Sequence, residues 1–113
     1  MKTVSSLTLT LTVACGLMAA SFANAAVDAD AAQSLLQKSA CLTCHAIDKK
    51  KVATSFKDVA KEYKGRADAV DHVVKHITSK PMVTLGGNKV EHAAIKSDDA
   101  AAIRNVAQWI LAQ

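Results

Sequence analysis

"SACLTCHAIDKKK", residues 39–51, is the stretch on which the reading of this chain turns. Cys41, Cys44 and His45 stand in it in the order C-x-x-C-H. Cysteines so spaced serve a redox dithiol, part of a zinc site, or a point where a prosthetic group is joined to the chain. The surrounding sequence decides among them.

The segment upstream bears on the compartment. Residues 1–25, "MKTVSSLTLTLTVACGLMAASFANA", carry a single charge at Lys2, then an apolar run from Leu7 to Ala20. They finish in Ala23, Asn24 and Ala25. A basic start, a short apolar core and a small-x-small exit are the features of a cleaved secretory signal. The apolar run is short for a bilayer span, which takes about 20 residues. A lipid-modified Cys15 would want a larger aliphatic residue where Thr12 stands. The expectation is export to the periplasm, cleavage after Ala25, no stable membrane insertion, and one domain over residues 26–113.

Of the 14 basic residues only Lys2 falls in that segment, and all 10 acidic residues lie beyond it. The remainder is mildly basic, with no arm suited to nucleic acid. Its aromatic residues are Phe56, Tyr63 and Trp109. A domain this small buries little apolar surface and usually needs a staple or a cofactor. Once Cys15 departs with the signal, Cys41 and Cys44 are the only thiols. A disulfide between residues three apart closes too small a loop to constrain the unfolded chain. Both cysteines are expected to do chemistry or to be consumed by it.

Four helical patterns place the motif in an all-α chain. The first runs from about Asp30 to Ser39, with Ala32, Leu35, Leu36 and Ser39 on one face and Asp28 or Asp30 as its cap. The second, Ser55 to Lys64, carries the stripe Phe56, Val59, Ala60 and Tyr63. Ser55 with Asp58 resembles a capping box, and Gly65 closes the helix. The third, Asp68 to Thr78, turns Val70, Val73, Val74 and Ile77 to one side and stops before Pro81. The fourth spans Ser97 to Ala112, with Ser97 as N-cap, Asp98 and Asp99 in the first turn, and Ile103, Val106, Ala107 and Ile110 as its stripe. Between the last two lies "SKPMVTLGGNKVEHAAIK", a connection long enough to expect a function of it.

A thioredoxin-type dithiol belongs at a helix start in a βαβ setting, and no strand pattern surrounds this motif. Zinc could draw on Cys41, Cys44 and two of His72, His76 and His92, but no second ligand pair stands at a familiar separation. Attachment of haem accounts for every element. Two cysteines three apart on a helical turn point the same way and can each add to one vinyl group of the macrocycle. The next residue, His45, then offers its imidazole as proximal iron ligand. The porphyrin also supplies apolar mass that the few aromatic residues do not.

"KSACLTCHAIDKKKVATSFKDVAKEYKG" together with "SDDAAAIRNVAQWILAQ" resembles the small bacterial class I cytochromes c. The resemblance implies four helices wrapped around one covalently bound haem, the first and last crossing so that Leu35 and Leu36 meet Val106, Trp109 and Ile110. It implies a one-electron carrier rather than an enzyme, and no Asp, Glu or Ser constellation suggests acid–base or hydrolytic work. Two departures stand out. Family members commonly have Gly-Pro after the haem-binding segment; here "VATS" must offer the carbonyl of Ala53 or Thr54 to the Nδ1–H of His45. The usual distal methionine shortly before the last helix is also missing. His92 stands close to that place, whereas Met82 stands soon after the third helix. His92 is expected as the distal iron ligand, with Met82 as the alternative.

His72 and His76 flank the third stripe and are expected to be partly solvated, with His76 at a haem propionate as the sharper alternative. Lys49, Lys50, Lys51, Lys57, Lys61 and Lys64 are exposed candidates that solubilise the chain or steer an acidic redox partner. Two further functions compete: a haem protein whose distal ligand leaves to admit a small gas, and an electron-accepting subunit of a periplasmic dehydrogenase.

Overall fold

Asp28 opens the first helix: its carboxylate accepts the N–H of Ala31 at 2.9 Å, ahead of α1, Ala29–Lys38. The computed structural model describes residues 26–113, and the expected signal segment with Cys15 lies outside the described residues. Ala32 and Leu36 of α1 are buried against the last helix, α4, Ala100–Leu111. There Ile103, Val106, Ala107, Trp109 and Ile110 form the buried stripe. The side-chain amide of Asn105 grips the backbone of Asp28, accepting its N–H and donating to its carbonyl, both at 2.8 Å. The two terminal helices are therefore joined by apolar packing and by a polar clasp between the start of α1 and the middle of α4.

Asp99, rather than the expected Ser97, caps α4, accepting the N–H groups of Ala101 and Ala102. A carboxylate at this position also complements the positive end of the helix dipole. Ser97 holds the cap in turn, its hydroxyl accepting the N–H of Asp99 at 3.1 Å. Ser55 caps α2, Phe56–Glu62, as expected. Its Oγ accepts the N–H of Asp58 at 3.1 Å and donates to the Asp58 carboxylate at 2.7 Å. Helix α3, Ala69–Thr78, buries Ala69, Val73 and Ile77 and leaves Val70 and Val74 half-buried. Arg104 of α4 reaches across to Asp71 of α3 at 2.9 Å.

Between α3 and α4 the chain does what the helical patterns did not foresee. It forms a two-stranded antiparallel hairpin, β1 (Met82–Leu85) with β2 (Asn88–Glu91). Gly86 and Gly87 make the two-residue turn at φ +55° and +85°. Positive φ at both central residues is what a type I′ hairpin turn demands, and glycine adopts it without a Cβ penalty. The N–H of His92 donates to the Pro81 carbonyl at 2.9 Å, continuing the pairing by one step. The N–H of Ile95 then donates to the carbonyl of Ile77 at 2.8 Å, tying the hairpin's exit to the end of α3.

Candidate functional site

The C-x-x-C-H motif is on a 3₁₀ turn, Cys41–Thr43, entered through Ala40 at φ 60°. A 3₁₀ helix has three residues per turn, so side chains at i and i+3 eclipse. Cys41 and Cys44 are therefore stacked one above the other, both half-buried and both free thiols. Burial pushes the Cys41 thiol up from its ordinary value, and the nearby Cys44 adds to the effect. Among the described residues no three His, Cys, Asp or Glu side chains converge to hold a metal ion.

His45 follows directly, its Nδ1 2.7 Å from the carbonyl oxygen of Thr54. A carbonyl only accepts, so Nδ1 carries the proton and the lone pair is left on Nε2. Thr54 thus supplies the orienting carbonyl in the absence of the family's Gly-Pro. The loop presenting it is pinned by backbone bonds: Ala53 N–H to Cys44 O, Phe56 N–H to Ala46 O and Lys57 N–H to Ile47 O, each at 2.9 Å. Phe56 stacks on the His45 ring at 5.2 Å and 14°, and Trp109 meets Phe56 edge-on at 5.8 Å. Phe56, expected only as core, is also the side chain that sets the plane of His45.

These residues line a cleft of about 600 Å³. Its walls include Leu36, Val73, Ile77 and Ile110 from three helices, and Val83, Leu85 and Val90 from the hairpin. Thr84, Gly86 and Glu91 also border the cleft, and strand alternation explains the half-buried, apolar part of the hairpin's share. Directly opposed residues of an antiparallel pair share a face, and successive residues alternate. Val83 is paired with Val90, and Pro81 with His92. All four, with Leu85, are half-buried, while Met82, Thr84, Lys89 and Glu91 are exposed.

His92 therefore lines the cleft, and Met82, one residue out of phase, is 62% exposed and absent from its walls. The rings of His45 and His92 lie 6.2 Å apart, centre to centre. Metal–imidazole bonds of about 2.0–2.1 Å, plus the depth of each ring, place two imidazoles sharing one metal ion about 6 Å apart. The pair fits a haem iron between them. Burial, with a smaller push from His45, lowers the basicity of His92 against the opposing backbone of Ala93, which favours the neutral imidazole.

His76 is partly solvated, as expected of a flank, and adds contacts that the spacing did not show. It is half-buried, lines the cleft, and meets the His92 ring edge-on at 4.5 Å. His72 is exposed, as expected of a flank, and contacts Tyr63 at the cleft's edge, their ring centres 5.1 Å apart. The spacing of His72 and His76 did not distinguish them; only the position of the hairpin does. Lys49, Lys50, Lys51, Lys57, Lys61 and Lys64 are all exposed, with Lys50 at the cleft wall and Lys51 Nζ donating to the Leu42 carbonyl at 3.1 Å.

Comparison with known proteins identifies the family. The Cytochrome c family profile matches residues 29–112. Cytochrome c-552 of Hydrogenobacter thermophilus is 32% identical over 96 residues, covering 85% of this chain and 87% of that protein. Cytochrome c-551 of Pseudomonas aeruginosa is 32% identical over 79 residues, covering 70% and 73%. Among solved structures, the class 1 cytochrome MtoD of Sideroxydans lithotrophicus superposes with a TM-score of 0.74 at 41% identity, over 77% of this chain and 97% of that one. The chain belongs to the cytochrome c family, as a small class I c-type cytochrome with one covalently attached haem c.

Proposed function

We propose that this protein is a periplasmic one-electron carrier in which Cys41 and Cys44 hold the haem while His45 and His92 ligate its iron. The observation that carries the reading is the 6.2 Å separation of the two imidazoles across the cleft that the cysteines border. Cys41 and Cys44 would hold the haem as thioethers, an addition of each S–H across a vinyl C=C that would need no oxidant. Haem, when bound, supplies the one-electron ferric/ferrous couple.

The chain's residues do the rest. Thr54 fixes the His45 tautomer, Phe56 fixes that ring's plane, and the inner face of the hairpin presents His92. Leu36, Val73, Ile77 and Ile110 keep water from the cleft. Two neutral imidazoles serve both oxidation states, so no ligand need exchange as the electron moves. They donate more strongly than a thioether, which lowers the potential relative to His/Met ligation.

Residues 1–25 act as the export signal, leaving a chain that begins at Ala26. Among the described residues no helix is long and apolar enough to cross a membrane. Lys49, Lys50, Lys51, Lys57, Lys61 and Lys64 form a docking face for acidic redox partners, which steer in by long-range attraction. Intact mass of the purified protein tests attachment and processing together. The expected value is residues 26–113 plus one haem, with the colour staying on the protein in acid–acetone. Colour that extracts, or a diacylglycerol mass on Cys15, overturns the assignment.

A further inference from the structure

The two histidines facing each other across the cleft are supported differently. His45 has its hydrogen bond to Thr54, and Phe56 stacks on its ring. His92 has no comparable bond: its Nδ1 is sealed from solvent, and the adjacent backbone of Ala93, although it acts on the ring electrostatically, does not meet it with hydrogen-bond distance and angle. Metal-bound histidines nearly always donate their second N–H to an acceptor, which fixes the ring and strengthens it as a ligand. A sealed imidazole nitrogen without a well-placed partner is unfavourable, and no hydrogen bond through Nδ1 orients this ring.

The side chain in place to do so is His76, whose ring meets that of His92 edge-on at 4.5 Å and 66°. Its own position is well determined. It is on α3 beside Ile77, which is buried and whose carbonyl takes the Ile95 N–H at 2.8 Å. That bond and the His92–Pro81 bond set the backbone on either side of His92. They leave rotation of the His92 side chain undetermined, and this rotation is what an edge-to-face neighbour restricts.

We infer that His76 is a positioning residue for the distal ligand, holding the His92 ring in its ligating orientation by aromatic packing instead of a hydrogen bond. The inference rests on the assignment of His92 as distal ligand. Its consequence is an asymmetric pair: His45 is tethered and hydrogen-bonded, while His92 is packed but not bonded through Nδ1. The distal bond is the one that opens, and His76 governs how often.

Three variants of the haem-loaded protein test this, read by the rate of carbon monoxide binding to the reduced form and by the ferric electron paramagnetic resonance spectrum. His76→Ala is expected to raise the carbon monoxide rate by about two- to tenfold, the factor that an edge-to-face contact represents. It is also expected to broaden the g values as the His92 ring samples more orientations. His76→Phe, which keeps the ring and removes both nitrogens, is expected to restore the wild-type rate and spectrum. His76→Gln, which keeps hydrogen bonding without an aromatic edge, is expected to resemble His76→Ala. An unchanged rate and spectrum in His76→Ala overturn the inference, as does rescue by Gln but not by Phe. His92→Ala checks the underlying assignment separately: if the ferric spectrum stays low-spin, His92 is not the ligand, whatever the His76 variants do.

Discussion

Met82 and His92 are on opposite faces of one two-residue-turn hairpin: Met82 points out at 62% exposure, and His92 lines the cleft opposite His45. A strand repeats every two residues, so exchanging them would take a one-residue register slip. Such a slip would also turn Val83, Leu85 and Val90 out of the cleft wall. Which of the two side chains faces the cleft is thus tied to the burial of three apolar side chains.

The first prediction follows from that phase. The ferric wild-type protein should be low-spin and lack the weak long-wavelength band of sulfur-to-iron charge transfer. His92→Ala should convert the iron to a high-spin or water-ligated form with new carbon monoxide affinity. Met82→Ala should leave the spectrum unchanged. A sulfur band that vanishes in Met82→Ala would reverse the assignment. Prompt carbon monoxide binding by the wild type would instead favour a gas-binding role.

The Gly86–Gly87 turn should matter to the proposed distal ligand, His92, five residues on from Gly87. A Cβ at either position meets open space, so replacement acts through the backbone alone. A side chain held at positive φ costs about 1–2 kcal/mol per residue. Gly86→Val with Gly87→Val should therefore loosen the hairpin and raise the high-spin fraction in the ferric spectrum. Helical circular dichroism should be largely kept, because the four helices do not depend on this turn. An unchanged spin state would mean that the hairpin does not hold His92.

Leu36 is 1% exposed and joins the α1–α4 contact to the cleft wall. Leu36→Ala should destabilise the haem-loaded protein by about 2–5 kcal/mol, the range for a buried leucine deletion. Val27→Ala, at a position 38% exposed, should stay within about 0.5 kcal/mol. Denaturant titration followed by the haem absorbance distinguishes them. Equal midpoint shifts would contradict the packing described.

If the lysines steer partners, oxidation by a small anionic iron complex should slow as ionic strength rises, and oxidation by a cationic ruthenium ammine should quicken. Replacing Lys49, Lys50 and Lys51 with Glu should reverse both trends. Steering effects of this kind span about tenfold or more, within reach of stopped-flow measurement. Salt-independent rates for both reagents would leave the lysines only a solubilising role.

Helix positions and the haem-binding motif were legible because their signals are local. Apolar stripes at helical spacing, Asp28 and Ser55 as caps, and C-x-x-C-H each lie within a few turns of chain. The hairpin was less so. Its alternation of Val83, Leu85, Val90 and His92 around Gly86–Gly87 is a hairpin signature, but the strands are only four residues each. Such a short pair gains its stability from what it packs on, which the local sequence does not display.

The sequence by itself determined that this is an exported-looking helical chain with two cysteines and a histidine arranged to take haem, because bonds between near neighbours need only near neighbours. It left the second iron ligand open between His92 and Met82, ten residues apart. Tertiary structure placed His92 at the cleft and Met82 in solvent, because the pairing of β1 with β2 sets one face inward and the other outward. It also decided that His76, four residues from the similar-looking His72, meets the His92 ring while His72 stays exposed at the cleft's edge. The physical reason is the same for both: a side chain's neighbours across a cleft are set by how separate elements dock, and docking is a property of the whole core.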